Sequence, residues 1–302
     1  TIAAISMTSR QQLDIRRTEN ILHAEQAYLY VLAGELWARS ALKEDLDKDK
    51  KEGVMSDDQT EDWATNIQNP IEGGQLAGHL EDLQGKFNLN NLYIPVPPAG
   101  APPPADTQPP SIDFIYFENL LGTLGLPTKI AQAVQDWIDI DTNAGFPDGA
   151  EDVEYQSKQP PYRTGNAQMA SLSELRLVDG IDEAIYTTLA KHVTVLPGTT
   201  PINVNTANAM QVSMLSNQVS LTEAEDIIKK RDKSGYKTVE EFMALESVKG
   251  KNINKYLVSI NSQYYLLKAR SIIGNIKSEL YSILYRDNKG EIKVLLRSQR
   301  RI

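Results

Sequence analysis

An unbroken helical pattern from Ser9 to about Lys43 constrains this chain more than any other feature. Ile15, Leu22, Leu29 and Leu36 recur at heptad spacing, and Leu32 and Ala33 broaden the stripe. Only Gly34 interrupts it, at a cost of about 1 kcal/mol for one glycine inside a helix. Roughly 35 residues at 1.5 Å each make a rod of about 50 Å. That is too long for an ordinary globular helix, so the pattern predicts a spine. A coiled coil is the plain alternative. Thr18 and Glu25 occupy its intervening core positions, which leaves only half of the seam apolar.

The rest of the chain has room for further units. Its 302 residues suffice for two or three domains, and a hydrophobic fraction of 41% is ordinary for a globular protein. A formal net charge of -9 argues against binding a nucleic-acid backbone, which needs a basic face. The absence of cysteine excludes disulfides and thiolate metal sites. His23, His79 and His192 are far apart and read as ordinary surface or core residues. No Ser-His-Asp, HExxH or Walker pattern occurs, so an enzyme is poorly supported. No stretch is long enough to span a membrane. The chain opens on Thr1, Ile2, Ala3, Ala4 and Ile5 without an initiator Met, and a preceding apolar anchor or signal is expected from that.

Oxygen ligands are densest in DWIDIDTNAGFPDGAEDVEY, Asp136 to Tyr155. Asp139, Asp141 and Asn143 alternate, followed by Gly145, Asp148, Glu151 and Asp152. Calcium takes six to eight oxygens, and such a loop supplies several from one short stretch. Counted from Asp139, the opening matches an EF-hand, but the required Gly and Glu both fall one place late, at Gly145 and Glu151. A calcium loop of another geometry is therefore expected, with Asp139, Asp141, Asp148, Glu151 and Asp152 as ligands. Glu174 is a weaker candidate, because Ser171 to Glu174 also reads as a capping box. The competing reading is a solvated acidic surface loop. Against it, Trp137, Ile138 and Ile140 interleave with the acids, and so many close carboxylates repel each other without a cation.

Elsewhere, the charged stretch Glu44 to Asp62 reads as a loop, and Gly85 to Tyr93 as a short strand or turn whose asparagines cap or bond nearby backbone. Pro95 to Pro110 reads as a polyproline-like or disordered linker. Helices are expected at Phe114 to Leu124, Pro127 to Ile138, Asp182 to Lys191, Ala207 to Leu215 (capped by Asn205 or Thr206), Glu223 to Arg231 (capped by Thr222) and Val239 to Leu245 (capped by Thr238). Ser171 opens another. Tyr264 to Ser271, Ser278 to Arg286 and Glu291 to Arg297 are strand-like, with Asp287 to Gly290 as a hairpin turn.

Taken in order, GKFNLNNL at Gly85 to Leu92, the acidic segment, SELRLVDGI at Ser173 to Ile181, NVNTAN at Asn203 to Asn208 and the β-rich end resemble the K-type minor pseudopilins of bacterial type II secretion systems. The resemblance covers nearly the whole chain. It implies an α+β fold: a pilin-like long N-terminal helix and antiparallel sheet, interrupted by a large α-helical insert that binds one or two structural Ca²⁺ ions. Residues 1–90 would hold the spine and first β segment, 91–261 the insert, and 262–302 the strands completing the sheet. The resemblance further implies a periplasmic domain of an inner-membrane-anchored protein, capping the pseudopilus tip with I- and J-type minor pseudopilins. Whether secreted cargo is a further partner is left open. In that arrangement Leu29 to Leu36 would pack on the sheet, and Leu13, Ile15 and Leu22 would face neighbouring subunits.

Asn203 to Leu245 also resembles a helix-hairpin-helix of the DNA-uptake type. Its hairpin, Ser216 to Val219, lacks the glycines that meet a phosphate, and Glu223, Glu225 and Asp226 follow, so no nucleic-acid partner is expected. Two alternatives belong to other classes. One is a calcium-dependent periplasmic binding module. The other is a glycan- or peptide-acting enzyme with Asp139 and Glu151 as acid and base, although carboxylates clustered in one loop suit a metal better.

Overall fold

The computed structural model describes residues 2–93, 110–231 and 235–300, with side chains from residue 6 onward. The chain divides into two compact units, one of residues 1–54, 60–82 and 263–302, the other of 55–59 and 83–262. The expected linker at Pro95 to Pro110 lies outside the described residues except for Pro110. Among the described residues no helix is long and apolar enough to cross a membrane.

The first unit is one helix on one sheet. Helix α1 spans Ile2–Glu52. Five antiparallel strands follow in sheet order: β1 (Ile67–Ile71), β2 (Gly74–Asp82), β3 (Tyr264–Ile273), β4 (Ile276–Arg286) and β5 (Ile292–Ser298). The sheet thus joins strands from both sides of the intervening segment. The hairpin of β1 and β2 is not anticipated by the sequence reading. Pro70 and Gly73, Gly74 and Gly78 obscure its alternation, and Pro70 is tolerated because β1 is an edge strand. The turn expected at Asp287 to Gly290 is present. Asp287 Oδ1 accepts from the Lys289 and Glu291 N–H groups at 2.9 and 2.8 Å, and Gly290 takes φ +92, which favours glycine.

Helix α1 corrects two expectations. The segment from Glu44 to Glu52 is helix rather than loop. Leu42 and Leu46 are buried beside Asp45 and Asp49, so the apolar face continues through a run that looks merely charged. The helix stops at Gly53, whose N–H returns to Asp49 O at 2.8 Å with φ +75. The second correction concerns the packed face. Leu29 and Leu36 are 64% and 62% exposed, and do not lie on the sheet. The buried line is Ala27, Val31, Glu35, Ala38, Leu42 and Leu46, roughly opposite the leucine heptad at 3.6 residues per turn. Small residues let the helix approach: a Cβ on Gly34 would sit 3.7 Å from Ala269 Cβ. Val31, Ala38 and Leu42 form the core with Trp63, Leu80, Tyr265, Leu267, Ala269, Leu280 and Leu284. Leu284 faces this core while the neighbouring register puts Tyr281 on the other face, as strand alternation requires.

Polar anchors pin the helix along the sheet. Ser271 Oγ donates to Ala27 O at 2.6 Å. Glu35 receives Ser282 Oγ at 2.6 Å and both Arg297 Nε and Nη2 at 2.8 and 2.7 Å. Arg286 Nη1 bonds Leu42 O at 3.1 Å and Asp45 Oδ2 at 2.9 Å. Burial pushes the Glu35 carboxyl up, but the Arg297 and Ser282 bonds outweigh it and hold the group below the ordinary glutamate value. A depressed carboxyl contributes stability above its unfolded pKa of about 4.3, and the contribution is lost as pH falls through the folded value. The stability gap between wild type and Glu35→Gln should therefore shrink between about pH 5 and about pH 3. Urea unfolding across that range measures it; a gap independent of pH contradicts the assignment.

The second unit is helical: α2 (Ile112–Thr123), α3 (Ile130–Ile138), α4 (Asp152–Gln156), α5 (Glu183–Leu189), α6 (Ala209–Met214), α7 (Leu221–Arg231) and α8 (Val239–Met243), with a 3-10 turn at Leu172–Leu177. Residues 83–90 belong here rather than with the spine, so the boundary falls at Asp82. The reason is the asparagine-rich segment. Asn88 Oδ1 accepts from Leu196 N at 3.0 Å, Asn90 exchanges bonds with Met169 backbone at 2.8 and 3.0 Å, and Asn91 exchanges two at 2.9 Å with Thr200. Asn88 also caps the nearby chain as expected, its Oδ1 accepting from Asn90 N–H at 3.1 Å, but the bonds to Leu196, Met169 and Thr200 reach distant backbone. Asn205 behaves likewise, gripping Tyr236 N and O at 2.8 and 2.9 Å, so the cap of α6 is Asn208 instead. Ser220 rather than Thr222 caps α7, and Thr238 caps α8.

Candidate metal centre

The acidic loop begins where α3 ends. Val134 and Ile138 are fully buried, and Trp137 packs edge-on against Tyr155 at 5.2 Å, with Tyr162 6.3 Å away. Apolar packing on both sides fixes the exit of α3 and the entry of α4. Asp139 is the residue at which the helix stops, its N–H still bonded to Gln135 O at 2.9 Å. Glu151 precedes α4, and its N–H donates to Glu154 Oε2 at 3.0 Å.

Three of the expected ligands converge. Asp139, Asp141 and Glu151 each bring a carboxylate oxygen within 4.8 Å of the other two. Asp139 and Glu151 are buried, 8% and 3% exposed. Asp139 Oδ1 and Glu151 Oε1 are shielded from solvent and have no hydrogen-bond partner. Glu151 Oε2 accepts from Thr164 Oγ1 at 3.0 Å, which orients the carboxylate and leaves the other oxygen bare. Among the described residues none of the three is ion-paired with Lys or Arg.

The electrostatics match the geometry. Burial, then the charges of Asp141, Asp136 and Glu151, push the Asp139 carboxyl up to about 8. Burial raises Glu151 to about 7 against the opposing bond from Thr164, and raises Asp136 to about 6 against the N–H groups of Gly145 and Ala150. Uncompensated negative charge is poorly tolerated here. A bare buried carboxylate oxygen is costly, and several aimed at one point fit a hard divalent cation.

The structure does not bring the other expected ligands into this group. Asp148 is exposed on the turn, its N–H 3.3 Å from Gln132 Oε1. Asp152 Oδ1 accepts from Thr164 N–H at 3.1 Å, and so ties down the following loop. Glu174 Oε1 accepts from Ala170 N and Ser171 N at 2.7 and 3.0 Å, which is the capping box. Asn143 is exposed, and its N–H closes a turn onto Asp141 Oδ1 at 2.8 Å. Asp136 and Gln132 were passed over as functional residues. Their only sequence signal is that they lie one turn apart on the helix leading into the loop.

A second acidic group lies in the first unit, where Asp45, Asp49 and Glu61 approach within 4.8 Å. There Arg286 supplies positive charge, and Trp63 Nε1 donates to Glu61 Oε2 at 2.7 Å.

A long helix laid on an antiparallel sheet, with a helical unit inserted between the strands, defines a pilin-like subunit of the α+β class. Residues 85–198 and 202–261 each match the family described as type II secretion system (T2SS), protein K. The type II secretion system protein K of Pseudomonas aeruginosa is 32% identical, the match covering 98% of this chain and 87% of that protein. The protein of the same name from Aeromonas hydrophila is 29% identical over 98% and 91%. The crystal structure of the GspK-GspI-GspJ complex from the enterotoxigenic Escherichia coli type 2 secretion system superimposes with a TM-score of 0.78 at 26% identity, covering 93% of this chain and 98% of that one. The chain belongs to the type II secretion system protein K family, the K-type minor pseudopilins. That family is a component of a secretion apparatus.

Proposed function

We propose that this chain caps the tip of a type II secretion pseudopilus on the periplasmic side of the inner membrane. In this reading it assembles with I- and J-type minor pseudopilins to initiate the fibre and support protein export, and it has no catalytic role. One observation carries the reading. Among the described side chains, residues 6–22 of α1 are all exposed, and they display Leu13, Ile15, Ile21 and Leu22 at 64%, 52%, 52% and 57% exposure. Apolar side chains repeated along a bare helix are a surface for other helices. The related complex of GspK with GspI and GspJ supports the choice of partners. The leucine heptad continues to Leu29 and Leu36 on the same exposed side, so the partner face extends beside the sheet.

Charge pairing among Arg10, Arg16, Arg17, Asp14 and Glu19 adds little, because exposed pairs are worth about 0–1 kcal/mol each. The apolar positions should dominate. Leu13→Asp with Leu22→Asp is expected to weaken capture of the I- and J-type subunits at least tenfold and to leave the melting temperature of the isolated chain nearly unchanged. Pull-down beside thermal melting tests this. Lost monomer stability with intact capture would assign this half of the helix to the fold instead.

In the second unit the reading includes one structural Ca²⁺, held by Asp139, Asp141 and Glu151. The unpartnered oxygens of Asp139 and Glu151 support it. Bound there, calcium would supply charge compensation and a cross-link between the end of α3 and the start of α4.

A further inference from the structure

Two side chains one turn apart on α3 grip the acidic loop without belonging to its carboxylate group. Gln132 Nε2 donates to Phe146 O at 3.1 Å, and Gln132 Oε1 accepts from Asp148 N–H at 3.3 Å. Asp136 Oδ2 accepts from Gly145 N–H at 3.0 Å. Within the loop, Gly149 N–H returns to Gly145 O at 2.7 Å. Backbone groups of Gly145, Phe146 and Asp148 are thus held by one face of one helix. The fit is close: a Cβ on Gly149 would fall onto Asp136 Oδ2 and the Gly145 N–H. Asp136 is itself 3% exposed.

The loop leaves α3 at Asp139 and returns at Glu151, so whatever fixes its middle also fixes the approach of these two carboxylates. We propose that Gln132 and Asp136 are positioning residues, a clamp that shapes the loop so that Asp139, Asp141 and Glu151 converge before any cation arrives. The inference rests on the calcium reading above. Its physical warrant is pre-organisation. A loop ordered in advance loses less conformational freedom on binding, and that saving appears as affinity. Gln132 carries no charge and bonds only loop backbone, so it separates holding the loop from ligating the ion.

Calcium chloride titrated calorimetrically into the full chain tests the clamp, with amide hydrogen exchange of the calcium-free protein as a second readout. Gln132→Ala is expected to weaken calcium binding about tenfold, the equivalent of one or two lost hydrogen bonds. Asp136→Asn keeps an acceptor oxygen and should stay within about threefold of wild type, while Asp136→Ala should lose more than about tenfold. Exchange at Gly145, Asp148 and Gly149 should speed up in Gln132→Ala and Asp136→Ala. Gln132 is only half-buried, so its variant should fold.

Wild-type affinity in Gln132→Ala would overturn the clamp, and so would unchanged exchange in both variants. Asp136→Asn as damaging as Asp139→Asn would make Asp136 a ligand, which also overturns it. A wild-type chain that takes up no calcium would instead refute the reading beneath it, and the exchange experiment would still decide whether the two residues hold the loop.

Discussion

Arg286→Met is expected to destabilise the helix-on-sheet unit by about 3–5 kcal/mol, the usual cost of removing one partner of a buried ion pair. The side chains of Arg286 and Asp45 are 4% and 7% exposed and lie 2.9 Å apart. The guanidinium also bonds Leu42 O and stacks 5.1 Å from the Tyr265 ring centre. Methionine fills much of the same space, so the loss reports charge rather than volume. It leaves the Asp45 carboxylate within 4.8 Å of Asp49 and Glu61 without the guanidinium. Urea unfolding of the single variant measures the effect. The double variant Asp45→Leu with Arg286→Met should recover much of it, because an apolar pair has no charge to desolvate. A single variant that loses less than about 1 kcal/mol would mean the pair is solvated in solution.

Calcium removal should have the next largest effect, in the other unit. A ligand that binds only the native state stabilises it by RT ln(1 + [L]/Kd), about 2.7 kcal/mol at a hundredfold excess over Kd. Wild type should melt higher in calcium than in chelator. Asp139→Ala with Asp141→Ala should melt at the same temperature in both, because two of the three converging carboxylates are gone. If chelator leaves the wild-type curve unmoved, the calcium reading is wrong. Glu174→Ala should keep the chelator response, since that carboxylate is spent on Ala170 N and Ser171 N.

Local signals were legible in the sequence, because each involves residues a few positions apart. The long helix follows from a run of helix formers broken only by Gly34. The turn at Asp287 to Gly290, the cap at Thr238 and the capping box at Ser171 follow from short side chains meeting nearby N–H groups. Asp139 and Asp141 stood out because alternate carboxylates beside a buried Trp137 demand an explanation.

Tertiary structure alone decided which face of α1 is covered. Heptad leucines announce an apolar stripe but not its partner. The sheet took the narrower line of Ala27, Val31 and Ala38, since small residues let a helix come close, and left the bulkier leucines outside. The same holds for polar pairs joined only by folding: Glu35 with Arg297, Asp45 with Arg286, Asn90 with Met169. Nothing in the spacing of such residues links them. Their partners come from chain that returns after a long excursion, and a buried charge or amide shows its purpose only once that partner arrives. The metal centre divides the same way. Which residues offer oxygen was written in the loop, but which oxygens remain bare depends on Thr164, Ser171 and Gln132 satisfying or steering the rest.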